Sequence, residues 1–142
     1  MENGYSELAS LLRYPVADAG LEELYTRTFD IQAPCTLDVG YVLFGEDYKR
    51  GHFLVKMHEL QNQYENDCGT ELADHLPNIL TLLEKMKETD PEQAEDLVKK
   101  IVLPALEKML QRFSADTENI YAGRLRDVDL RLRRDFCGGP DD

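Results

Sequence analysis

Apolar side chains recur three and four positions apart along almost the entire chain, and this spacing leaves little room for any architecture other than packed helices. The cleanest stripe is Phe53, Met57, Leu60 and Tyr64, which predicts one buried helical face over Lys49–Asp67, with Cys68-Gly69 ending it. Similar stripes run through Tyr5, Leu8, Leu11 and Leu12, then Leu21, Leu24, Tyr25, Thr28 and Phe29, and later Leu76, Ile79, Leu80 and Leu83. Two more follow: Leu97, Ile101, Leu106, Met109 and Phe113, and Tyr121, Leu125, Val128 and Leu132 on a last helix from Glu118 to Arg134. The arginines of that last helix are interleaved with Asp127, Asp129 and Asp135, the pattern of a solvated, salt-bridged face.

Punctuation between the stripes supports the same reading. Pro15 stops the first helix, and Gly20 separates it from the second. Asp74 is placed to cap a helix carrying Leu76 and Pro77 in its first turn, and Asp90-Pro91 starts another. Pro104 lies inside a helical stripe, so a kink or junction is expected near Ile101. Residues 35–44 alternate like a strand through Leu37, Val39, Tyr41 and Leu43. A lone strand would lack a pairing partner, so this segment is read as helix. The expected fold is all-α: one compact helical bundle of about six or seven helices over residues 1–142, with a loose tail at 136–142.

Acidic residues outnumber basic ones by 28 to 16, a formal net charge of −12. Such a surface repels nucleic acid and anionic lipid and attracts a cationic peptide. The three cysteines, Cys35, Cys68 and Cys137, form no C-x-x-C pair, which points to a reducing compartment. The N-terminus lacks a basic region followed by an apolar stretch, and no apolar run approaches the roughly 20 residues of a membrane span, so a cytoplasmic protein without stable membrane association is expected. The expected oligomeric state is a monomer or weak dimer.

Phosphate-binding loops, dinucleotide fingerprints, H-E-x-x-H and G-x-S-x-G are all absent, so neither a catalytic residue nor a cofactor is assigned. His52 and His58 are six apart and fall on different faces of a helix. The densest chemistry lies at Glu71-Leu72-Ala73-Asp74-His75-Leu76-Pro77, where two carboxylates and an imidazole meet a helix start. Capping and the helix dipole account for acids there. The same residues could ligate a metal or receive a basic, apolar peptide.

Four stretches, in order, resemble the nitrate reductase delta-subunit (NarJ-like) assembly chaperones of molybdoenzymes. They are LLRYP (residues 11–15), LEELYTRTFD (21–30, with Tyr25, Phe29 and Asp30), YVLFGEDYKRGHFLVKM (41–57, with Arg50-Gly51), and ELADHLP (71–77). Ala73 replaces that family's proline in the last motif, and the gap between the first two is shorter than usual. The resemblance implies an all-helical chaperone, related to the TorD- and DmsD-like maturation proteins. It implies no enzymatic activity, and as partner the N-terminal or twin-arginine-like segment of a molybdoenzyme catalytic subunit, held while the molybdenum cofactor is inserted. On that reading Glu71, Asp74 and His75 form a polar rim for the client, and Tyr41, Phe44, Leu72 and Leu76 an apolar floor. Two other classes stay open: an acidic helical adaptor for a different protein, and a small metal-dependent hydrolase using Glu71, Asp74 and His75.

Overall fold

A computed structural model of the protein describes residues 4–29, 36–114 and 117–138. Its elements are α1 (Tyr5–Leu11), α2 (Ala19–Phe29), α3 (Val39–Phe44), α4 (Tyr48–Gln63), α5 (Leu76–Thr89), α6 (Pro91–Leu97), a π-helical turn (Val98–Val102), α7 (Leu103–Leu110) and α8 (Ile120–Phe136). Because α6, the π turn and α7 are continuous, the described residues hold seven helical rods and no strand, an all-α bundle. Among them no helix is long and apolar enough to cross a membrane.

The core is built around α5, whose Leu76, Ile79, Leu80, Leu82, Leu83 and Met86 are all buried. Each such side chain stabilises the fold by about 1.5–3 kcal/mol relative to exposure. α1 and α6 pack on α5, and α7 packs between α3 and α8. An aromatic cluster joins α2 to α8: Tyr25, Phe29 and Tyr121 meet edge-on, with ring centroids 5.0–5.7 Å apart.

The predicted junction near Ile101 is the π turn. The Leu103 amide reaches back five residues to the Val98 carbonyl. The wider turn carries the rod past Pro104, which has no N–H to continue an α ladder. The Asp90 carboxylate accepts from the Gln93 amide at 3.2 Å, the cap expected of Asp90-Pro91.

Three boundaries differ from expectation. α4 stops at Gln63 rather than Asp67. Asn66 is drawn inward, where its Nδ2 donates to Gln61 Oε1, Thr81 Oγ1 and the Asn78 carbonyl, and Glu65 turns the chain with φ 52°. Of the predicted α4 stripe only Met57 is fully buried, while Phe53, Leu60 and Tyr64 are half-buried. The alternation at 35–44 is part extended chain and part helix, since Asp38 pairs with His75 in an isolated antiparallel bridge before α3 begins. At the C-terminus, α8 runs through Phe136, whose ring stacks on Tyr5 at 6.2 Å. Cys35, Asp30 and residues 139–142 lie outside the described residues.

Candidate functional site

The bridge between Asp38 and His75 organises one end of the bundle. Backbone bonds flank it: the Leu76 amide donates to the Leu37 carbonyl at 2.8 Å, and the Val39 amide to the Asp74 carbonyl at 3.0 Å. Two segments far apart in sequence are thereby locked side by side, each leading directly into a helix, α3 or α5. Their side chains form a ladder of charge. His75 places Nδ1 3.0 Å from Asp38 Oδ1 and Nε2 3.3 Å from Glu71 Oε2. A neutral imidazole donates to one of these carboxylates and the protonated ring to both. Arg50, on α4, lies 3.7 Å from the other Asp38 oxygen and 3.5 Å from Asp74 Oδ2.

Asp74 has no exposed surface. Its Oδ2 accepts from the Gly40 amide at 2.9 Å, while Oδ1 has no hydrogen-bond partner among the described residues. Burial pushes this carboxyl above the usual carboxylate range, with Arg50 pulling the other way and the charge of Asp38 adding to the rise.

Beneath the bridge lies a buried amide network. Asn78 Nδ2 donates to the carbonyls of Cys68 and Leu72 at 3.2 and 2.9 Å, and Gln61 Nε2 donates to those of Ala73 and Asn78 at 3.1 and 3.2 Å. These bonds add to the turn bonds that the Cys68 and Leu72 carbonyls accept from the Glu71 and His75 amides, and they give the Ala73 carbonyl a donor. The loop at 66–75 is thus held in one shape from below. Arg13 Nη1 also reaches this network, donating to Asn78 Oδ1 at 3.3 Å.

Above the loop is a half-open groove of about 650 Å³. Arg13 and Tyr14 line it from the α1–α2 connection, Tyr25 and Phe29 from α2, and Leu37 and Asp38 from the bridge segment. Cys68, Glu71, Leu72 and His75 complete it from the loop. Burial raises the Cys68 thiol, Asp67 adds to that rise, and Arg13 opposes it. The groove therefore combines an aromatic wall, two carboxylates beside an imidazole, and a guanidinium.

No family model, curated protein or solved structure matches this chain.

The predicted site residues divide into three groups. Glu71, Leu72 and His75 line the groove together, and Leu72 is 50% exposed. Asp74 and Leu76 do not reach a rim or floor, which corrects their expected positions. Both are fully buried, Asp74 against α3 and Leu76 in the core, leaving no atom to meet a guest. Nor does Asp74 cap α5, whose N-cap is His75; its carboxylate serves α3 instead. Tyr41 and Phe44 sit on α3 and do not line the groove. The Arg50 guanidinium lies over the Tyr41 ring at 5.5 Å, and Phe44 packs edge-on against Phe53 at 5.8 Å.

Among the described residues no group of three or more His, Cys, Asp and Glu side chains is arranged to hold a metal ion. The carboxylate of Asp74 faces Gly40 and Arg50, so the Glu71–Asp74–His75 set does not converge on one point. Sequence reasoning missed Asp38, Arg13 and Asn78. Asp38 had no local signal, since its partners lie 12 and 37 positions away. Arg13 and Tyr14 sit inside the LLRYP motif and could have been drawn from it.

Proposed function

We propose that the chain is an assembly chaperone of the nitrate reductase delta-subunit kind, which seats an N-terminal segment of a molybdoenzyme catalytic subunit in the groove above loop 66–75. The observation that carries this reading is the convergence of motifs. Arg13 and Tyr14 come from LLRYP, Tyr25 and Phe29 from the second motif, and Glu71, Leu72 and His75 from ELADHLP; all line the same groove. Arg50, from the remaining motif, supports that groove from behind by pairing with Asp38 and Asp74.

The chemistry suits a segment that is basic and then apolar. Asp38 and Glu71 offer charge to an incoming arginine or lysine, while the exposed Tyr14 and Leu72 offer apolar surface, backed by the nearly buried rings of Tyr25 and Phe29. Each apolar anchor buried on binding contributes about 1.5–3 kcal/mol, against roughly 0–1 kcal/mol for an exposed ion pair. Apolar contacts therefore set the affinity, and the net charge of −12 sets on-rate and orientation.

Calorimetric titration with a synthetic peptide copying the client's N-terminus tests this. Saturable binding near about micromolar affinity, weakened by Leu72→Asp and Glu71→Lys, is expected. Peptide that fails to bind, or that binds both variants as well as the parent, removes the proposal.

A further inference from the structure

Arg13 is an anomaly in this groove. In a chain with 28 acidic residues, cations such as Arg50, Lys87, Lys99 and Arg133 sit beside carboxylates, and Lys85 and Arg124, outside the groove, donate to backbone carbonyls. Arg13 does not: its polar partner among the described residues is the neutral side-chain oxygen of Asn78. That amide is fully buried and is itself fixed by donating to Cys68 and Leu72. The guanidinium is thus held by one of its five N–H groups, is half-buried, and lines the same groove as Asp38, Glu71 and His75. A fixed, partly desolvated guanidinium with no carboxylate partner among the described residues is a receptor for a planar anion, which it can grip through two parallel bonds.

We propose that Arg13 is an anion-reading residue of the groove, so that its guest carries a carboxylate as well as a cation. The cation meets Asp38 and Glu71, and the carboxylate meets Arg13 along the Tyr14–Tyr25 wall. This rests on the groove being a peptide site, and it adds a requirement that a basic–apolar segment alone does not supply. It also fixes direction, because a guest with one charge of each sign fits opposite poles in only one orientation.

The test uses the full chain and amidated peptides with one arginine leading an apolar segment. A single Glu is moved stepwise along that segment, with Gln at the same place as reference. A further arm replaces the internal Glu by a free carboxy-terminus, which separates an acidic side chain from a chain end as the source of the anion. The wild-type protein should prefer Glu over Gln at one position by about tenfold, the size expected of a bidentate charged pair. R13Q should flatten that preference and R13K should restore part of it, with melting curves checking that both variants are folded. If the preference moves to the free-terminus peptide and also depends on Arg13, the anion is a chain end and the assignment stands. If arginine-dependent binding occurs with no Arg13-dependent preference at any position, the assignment falls while the peptide site survives. If no peptide binds at all, both fall.

Discussion

Asp74 caps a helix that it does not precede: its carboxylate accepts the Gly40 amide of α3 at 2.9 Å, across 34 positions of sequence. The local sequence places Asp74 at the start of α5, yet the bridge at Asp38–His75 brings the first turn of α3 closer to its carboxylate. Removing it strands a buried amide and deprives Arg50 of a partner. Asp74→Ala is expected to cost about 2–3 kcal/mol in urea unfolding, more than a surface cap, since a buried donor is left unsatisfied.

The same carboxyl gives a pH signature. Its folded value lies above the ordinary 3.8 because burial outweighs Arg50. The contribution is therefore fully present below the ordinary value and is lost as pH rises through the folded one. The stability difference between wild type and Asp74→Asn should shrink as pH rises from about 4. A difference that stays flat or widens over that range contradicts the burial argument.

Glu84 behaves in the opposite sense. It accepts the Tyr5 amide at 2.6 Å, capping α1 from α5, and pairs with Lys87 at 2.9 Å. Burial pulls its carboxyl upward, but these bonds together hold it below the ordinary 4.5. Its contribution is present above that value and lost as pH falls through the folded one. Glu84→Gln should lower stability by about 1 kcal/mol near neutrality, and that loss should fade on acidification.

Gly40 and Gly51 offer a matched pair. A Cβ at Gly40 would meet Asp74 Oδ2 at 2.6 Å and a Phe53 ring carbon at 2.8 Å, whereas one at Gly51 would meet nothing within 4 Å. Gly40→Ala should destabilise by about 1–3 kcal/mol through overpacking, and Gly51→Ala, in the exposed interior of α4, should stabilise by about 0.5–1 kcal/mol. Thermal melts of the two variants moving in the same direction would contradict this placement of α3 against α4.

Leu72 and Leu76 separate binding from folding. Leu76→Ala should cost about 2–5 kcal/mol of stability without changing peptide affinity per folded molecule, since Leu76 is wholly inside the core. Leu72→Ala should do the reverse, with a stability change within about 0.5 kcal/mol and a measurable loss of affinity. An affinity loss for Leu76→Ala at a temperature where it is fully folded would return Leu76 to the groove.

The helical content was legible because periodic apolar stripes report directly on which side of a rod is buried, as at Tyr121, Leu125, Val128 and Leu132. Asp90 and Pro104 were legible for the same local reason: a cap and a missing amide act within one turn. Asp38 and Asn78 were not. Their roles come from an antiparallel bridge and a buried amide network whose partners are distant in sequence. Asp74 shows why local rules fail there: its carboxylate could cap either helix, and which one it serves is decided by tertiary packing. The resemblance suggests Tyr41 and Phe44 as part of an apolar floor, but α3 directs them toward Arg50 and Phe53.

The π turn at Val98–Val102 marks where this rod tolerates a change in length. Its bond closes over five residues instead of four, so it takes up one extra residue while the helices before and after it keep nearly the same phase. Deleting one residue there should restore ordinary pitch and leave Leu103, Leu106 and Met109 facing α3 and α8. A deletion within α7 would instead swing the side chains after it by about 100° around the helix axis. Gly45 and Gly69 are fixed for a different reason: although an added Cβ would meet nothing at either, both hold φ 61°, a conformation other residues adopt only with strain.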